Sequence, residues 1–188
     1  MGQDKRPINF TQSLLGRRDF CHYDEIIKVL EDFPDAKVYG GGNDDLGPLN
    51  GGDVPYDNMK GLLRDSRAYL YGGTWPASYT LSFIEPLMLG IPVVALGRKL
   101  AEPDRFEPFR FYEIPDIIQN GINGFISDDI NQLKGNVQAL LEDYELAKRI
   151  GEAGRKTAIE IFGKDKIAGQ WKEFLDNPPA ENSEPVAS

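Results

Sequence analysis

Short apolar runs alternate with amphipathic stretches along most of the chain, and the hydrophobic period changes between two and about 3.6 at each alternation. Residues 7–15 read as a first strand, closed by the turn Gly16-Arg17-Arg18. An amphipathic helix follows over 23–33, with Ile26, Ile27 and Leu30 on one face. Residues 36–39 read as a second strand ending in Gly40-Gly41-Gly42-Asn43, and the Gly, Asp, Asn and Pro of the run to Gly52 read as a connection. Residues 55–64 form a helix with Met59, Leu62 and Leu63 inward, followed by a strand at 68–71. A loop and a short helix then lead to a buried strand at 91–96, so the order is β-α-β-α-β-α-β and the sheet is parallel, an α/β fold.

Beyond that point the pattern loosens. Residues 99–113 have no clear period; Pro103, Pro108 and Pro115 break them, while Phe106, Phe109, Phe111 and Tyr112 give them something to pack, as in an inserted loop or lid. Residues 124–127 make a last short strand, and 130–175 are mostly helical, with interruptions expected at Gly151, Gly154 and Phe162-Gly163. The final stretch, 177–188, is rich in Pro, Ser, Ala and Glu and reads as a disordered tail behind one domain of residues 1–176.

Composition narrows the class. A chain of 188 residues with 40% hydrophobic content can bury one good core. A net charge of −9 argues against nucleic acid as a partner, since neutralising a phosphate backbone needs a basic surface. Cys21 is the lone cysteine, no secretory signal is visible and no apolar run is long enough to span a bilayer, which together read as a cytoplasmic protein without a transmembrane segment. With one histidine and one cysteine a transition-metal site is not expected, and chemistry free of metal and cofactor fits better.

The chemistry concentrates in residues 73–97. A helix lying between two parallel strands opens at the carboxyl end of the sheet, where such folds bind ligands, and its N-terminus offers unpaired N–H groups and positive dipole to an anion. Pro86 would break the interior of a longer helix, so the start falls near Ser82, or near Thr80 with a bend; either way the amides around Thr80, Leu81 and Ser82 are free for phosphate oxygens. Glu85 is a carboxylate able to accept both hydroxyls of a ribose, and alternatively completes a capping box, Ser82-x-x-Glu85. Arg17 and Arg18, just past the first strand, offer guanidinium groups to phosphate, although Arg18 equally reads as a surface charge.

Gly16-Arg17, residues 71–76, Glu85-Pro86-Leu87-Met88-Leu89-Gly90-Ile91-Pro92-Val93-Val94, Asn120-Gly121-Ile122-Asn123-Gly124-Phe125 and Gly154-Arg155 ahead of a Trp171 helix together resemble the C-terminal half of GT-B-fold glycosyltransferases of the retaining family 4. The match runs over 7–175. The resemblance implies a Rossmann-like parallel β-sheet with helices on both faces, and a domain that binds a nucleotide diphosphate sugar for transfer to an acceptor held by a separate N-terminal domain or partner chain. It carries the ribose role onto Glu85, the phosphate role onto Arg17 and onto the backbone amides of Thr80 and Leu81, and the base slot onto Gly52-Asp53-Val54-Pro55-Tyr56, with residues 39–43 as the other wall. Arg17 and Glu85 are thereby the catalytic candidates.

The chain also departs from the family pattern. The first glutamate of Glu-x7-Glu falls on Ala77, for which Ser78 or Tyr79 are the nearby substitutes. The lysine expected after Arg17 is replaced by the Cys21-His22-Tyr23 region, where His22 is either a partial substitute or a solvated residue at a helix start. From the sequence pattern alone no residue of the slot is assigned to separating uracil, guanine and adenine. Gly151 to Thr157 and Gly40-Gly41-Gly42 fail the spacing of phosphate-binding and dinucleotide motifs, and Asp128-Asp129 read as loop acids or a helix cap. Two further classes stay open: a nucleotide-binding or regulatory module without catalysis, and another GT-B enzyme such as a nucleotide-sugar epimerase or a phosphorylase.

Overall fold

The computed structural model describes residues 2–102 and 111–178. Its centre is a six-stranded, wholly parallel sheet built from β1 (Asp4–Phe10), β2 (Lys37–Tyr39), β3 (Asn50–Gly52), β4 (Ser66–Tyr71), β5 (Val93–Leu96) and β6 (Phe125–Ser127), in the order β3-β2-β1-β4-β5-β6. The helices are α1 (Tyr23–Leu30), α2 (Tyr56–Asp65), α3 (Leu81–Leu89), α4 (Arg98–Ala101), α5 (Ile114–Ile117), α6 (Ile130–Glu142), α7 (Tyr144–Phe162) and α8 (Lys164–Asp176). From β1 the chain winds out to one edge, returns to β4 beside β1, and winds out to the other edge. The strand order therefore reverses between β1 and β4, which leaves a crevice beyond their carboxyl ends.

Burial explains why the apolar parts of β4 and β5 read so plainly. Every residue of β4 and β5 is buried, as expected of strands covered on both faces. Helix α6 packs on α1 and along the strands, while α2 and α3 pack on each other and on β4, with α7 outside α3. Ile26, Val29 and Leu30 turn the apolar stripe of α1 inward, and each such fully buried side chain contributes about 1.5–3 kcal/mol. Ile27, assigned to the same stripe, is only partly buried against that core.

Several expectations shift. The first strand ends at Phe10 rather than at residue 15, because Thr11, Ser13 and Leu14 turn across to the end of β2 and the loop after it: Thr11 N–H donates to Tyr39 O at 3.0 Å and Ser13 N–H to Gly41 O at 2.8 Å. The supposed connection 40–52 contains a 3-10 helix at Asp44–Leu49 and the edge strand β3. Its sequence Asn-Gly-Gly has no apolar residue to reveal it; β3 forms through backbone pairing to β2 alone. Pro115 does not break the chain but occupies the first turn of α5, where its missing N–H costs nothing. Gly151 and Gly154 do not interrupt α7. The long helical region divides instead at Asp143, whose side chain caps α7, and, as expected, at Gly163. Of the lid, Pro103, Phe106, Pro108 and Phe109 lie outside the described residues, as do residues 179–188 of the tail; Tyr112 is buried, with its hydroxyl donating to Leu96 O at 2.9 Å. Among the described residues no helix is long and apolar enough to cross a membrane.

Candidate functional site

Two loops and one helix start enclose the crevice at the β1/β4 switch. The loop after β4 climbs from Gly72 and Gly73 to Thr80, and it is tied to the turn after β1 by Trp75 N–H donating to Phe20 O at 2.8 Å and by the stacked rings of Phe20 and Trp75, 5.9 Å apart. Gly73 has φ +82°, and a Cβ there would meet the Tyr112 ring at 3.0 Å, so this loop needs a residue without a side chain. The resulting hollow, about 260 Å³, is lined by Phe10, Thr11, Gln12, Arg17, Tyr71, Gly72, Gly73, Thr74, Thr80 and Ser82.

A second hollow of about 230 Å³ continues from it, sharing Phe10, Thr11, Gln12 and Ser82 and adding Tyr39, Gly40, Asp53, Val54 and Met59. The shared residues make the two hollows one cleft across the carboxyl edge of the sheet. Among the described residues Arg17 is the one cation lining it, and its guanidinium has no ion-pair partner among them.

The start of α3 forms the cleft's upper wall. Thr80 is its N-cap, in extended conformation, and its side chain does not cap the helix; its hydroxyl instead lies 2.7 Å from Ser82 Oγ and 3.2 Å from the Tyr71 hydroxyl. Phe83 and Ile84 N–H groups donate back to Thr80 O, whereas those of Leu81 and Ser82 meet no acceptor among the described residues. Two unpaired amides at a helix N-terminus beside a free guanidinium favour a bound anion.

Below them the hydroxyl of fully buried Tyr69 approaches Ser82 and the Phe10 backbone without reaching hydrogen-bond geometry, and burial drives its ionisation far above the ordinary range. Burial likewise pushes Tyr71 up to about 12.

The other sequence candidates scatter. Val54 lies in the second hollow. Glu85 lines neither half of the cleft; it faces an adjoining hollow with Tyr56, Met59 and Lys60, and its Oε1 accepts from the Tyr56 hydroxyl at 2.9 Å. That bond raises the Tyr56 ionisation. The capping-box alternative does not form, because α3 starts at Leu81 with Thr80 as its cap. Arg18 is not a cleft residue: it pairs with both carboxylate oxygens of Asp24 and lies 4.7 Å from the centre of the Tyr23 ring. His22 is 2% exposed, so it is no solvated residue at the start of α1, and it takes a left-handed conformation there. Ser78 lines no part of the cleft and spends its carbonyl on Glu113 N–H at 3.2 Å. Tyr79 packs edge-on against Phe162, and the Leu81 side chain points to solvent.

The sequence reading placed Asn43 in a turn and in the wall of the slot but missed that this residue holds the cleft open. Asn43, 2% exposed, donates from Nδ2 to Thr11 O at 2.7 Å and Gly40 O at 2.9 Å, and its Oδ1 accepts from Leu14 N–H at 2.8 Å. It staples the β1 and β2 loops together. The only signal available was an Asn closing the Gly-Gly-Gly turn, one among many polar loop residues. Among the described residues no group of three or more His, Cys, Asp or Glu side chains is gathered as a metal site.

No protein-family model matches the sequence. Among curated proteins the chain is similar to the N-acetyl-alpha-D-glucosaminyl L-malate synthase of Bacillus anthracis, 23% identical over 156 residues, which make up 82% of this chain and 34% of that protein. Among solved structures it superposes on HepE of Anabaena in complex with UDP with a TM-score of 0.69 at 17% identity, covering 93% of this chain and 49% of that one. On S. aureus TarM in complex with Fondaparinux, alpha-GlcNAc-glycerol and UDP the TM-score is 0.65 at 16% identity, over 94% of this chain and 36% of that one. The chain thus shares the Rossmann-like α/β fold found in these GT-B glycosyltransferases, and it spans between about a third and a half of the length of these relatives.

Proposed function

We propose that the chain binds a nucleotide diphosphate sugar and serves as the donor half of a glycosyltransferase, whose acceptor is held by a separate N-terminal domain or partner chain. The observation that carries this reading is the continuous cleft at the switch point, with Arg17 and the free amides of Leu81 and Ser82 at one end and the Val54 slot at the other. The base enters the slot, the ribose turns toward Glu85, and the diphosphate lies between Arg17 and the start of α3. As the bond from the anomeric carbon to the phosphate oxygen breaks, its electron pair leaves with the diphosphate, and Arg17 with the helix dipole stabilises that growing charge without the protein having to reorganise. For Glu85 to accept ribose hydroxyls, the ligand must take the place now held by the Tyr56 hydroxyl. Relatives solved with UDP support a nucleotide ligand. The resemblance adds retention of anomeric configuration, and the chemistry proposed here uses no metal.

The test is thermal stabilisation of the 188-residue chain by UDP, GDP and ADP. A ligand at a hundred times its dissociation constant adds about 2.7 kcal/mol to folding stability, enough for a shift of several degrees. Arg17→Ala and Glu85→Ala should each weaken binding at least tenfold while leaving the unliganded melting temperature near that of the parent. No shift with any diphosphate at millimolar concentration would overturn the reading.

Ala77 favours a second reading. A methyl group stands where the family places a carboxylate toward the donor sugar, which suits a module that keeps the nucleotide and has lost transfer. Nucleotide binding without turnover, with an acceptor half supplied in trans, distinguishes it.

A further inference from the structure

We infer that the base slot selects guanine, and that Asp53 is the residue that does so. The inference rests on the nucleotide-binding reading and goes beyond it by naming the base. Among the described residues Asp53 is the only acidic or basic side chain lining the slot, and the remaining lining groups are apolar rings and side chains, one glycine, Thr11, Gln12 and Ser82. It stands on the loop between β3 and α2, facing the glycine turn after β2: a Cβ built on Gly41 would come 3.6 Å from Asp53 Oδ2. Among the described residues the carboxylate has no hydrogen bond or ion pair, so both oxygens are available to a ligand at the mouth of the slot.

A carboxylate is an acceptor only, and a pair of its oxygens is matched by two adjacent N–H donors. Guanine presents N1–H and the 2-amino group side by side on one edge. Uracil presents a single N3–H flanked by two carbonyl oxygens, which the carboxylate would repel. Adenine's 6-amino group is next to the N1 lone pair and meets the same repulsion. A site built around hydrogen-bonding groups rejects analogues that leave them unpaired far more strongly than an apolar pocket does. The apolar walls from Phe10, Tyr39 and Val54 accept any base, so the discrimination falls on Asp53.

The experiment is calorimetric titration of the whole chain with GDP, UDP, inosine diphosphate and xanthosine diphosphate, repeated with Asp53→Asn. GDP should bind at least tenfold more tightly than UDP, and inosine diphosphate, which lacks the 2-amino group, should lose most of that advantage. Asp53→Asn exchanges one acceptor for a donor, so it should lower GDP affinity about tenfold and raise affinity for xanthosine diphosphate, whose O2 is an acceptor. A purely structural role for Asp53 would not produce that gain. UDP binding as tightly as GDP, with Arg17→Ala still abolishing it, would overturn the choice of base and leave the nucleotide site standing. Absence of binding by every diphosphate would overturn both.

Discussion

At the scale of single residues, the cleft depends on one amide side chain. Asn43 satisfies Leu14 N–H and the carbonyls of Thr11 and Gly40, all within the two loops that form the cleft floor. Truncation to alanine leaves these groups without partners, and buried unsatisfied groups cost about 1–3 kcal/mol each when water cannot replace them. Asn43→Ala is therefore expected to lose about 2–4 kcal/mol in urea denaturation, and Asn43→Asp, which keeps only the acceptor, to lose nearly as much. Arg17 and Thr80 were legible in the sequence because a cation after the first strand and a polar residue before a short helix are local patterns, and local patterns survive folding. Glu85 was legible as a carboxylate on α3, but its Tyr56 partner is 29 residues away and follows from how α2 packs on α3. His22 and Arg18 could not be separated by sequence at all. Which neighbouring polar residue is buried and which pairs with Asp24 depends on a left-handed turn at His22 that no residue type announces.

At the scale of elements, glycines inside helices carry opposite meanings that only the packing reveals. Gly154 in α7 is buried, and a Cβ there would stand 2.8 Å from Asn123 O and 2.9 Å from Leu87 Cδ2. With Ala147, Ile150, Gly151 and Ala158 it forms the face that lets α7 approach α3 and the Asn123 turn. Gly61 in α2 and Gly135 in α6 have nothing within 4 Å of the same atom. Glycine costs a helix about 1 kcal/mol relative to alanine, so Gly61→Ala and Gly135→Ala should each stabilise by about 0.5–1 kcal/mol. Gly154→Ala gains the same propensity but meets backbone on one side, and should destabilise by about 1–3 kcal/mol. Thermal melts of the three variants check the signs. The same distinction explains the misread helix breaks: a glycine is read as an interruption from sequence, whereas here two of them are contact points. β5 and residues 68–71 of β4 were legible because burial on both faces favours continuous apolar runs, whereas Ser66 and Arg67 at the start of β4 are buried polar residues that the pattern does not reveal. β3 was not legible, because it pairs through its backbone and needs glycine rather than an apolar side chain where Gly51 lies against the Tyr39 ring.

At the scale of the whole molecule, three tyrosines fix how the domain responds to alkali. Tyr69, Tyr71 and Tyr112 lie in or against the centre of the sheet, each at most 3% exposed. Burial raises all three ionisations, Tyr71 to about 12 and Tyr69 and Tyr112 well above the ordinary range. In the unfolded chain each phenol loses its proton near pH 10, as free tyrosine does. Above that pH the unfolded state binds fewer protons than the folded one, so stability falls as pH rises. The stabilisation is complete below about pH 10 and is lost through the window up to the folded values, at about 1.4 kcal/mol per pH unit for each tyrosine. The part of the phenolate absorbance that comes from these three tyrosines should therefore rise together with unfolding, cooperatively, above pH 10. Tyr69→Phe isolates one contribution. Its hydroxyl lacks a well-formed hydrogen bond, so the variant should match the parent within about 1 kcal/mol at pH 7 and show a shallower alkaline loss in urea melts taken between pH 9 and pH 11. A parallel fall in both proteins would mean that the phenol at the floor of the cleft already reaches water in the native state, and the closed floor beneath Ser82 would have to be redrawn.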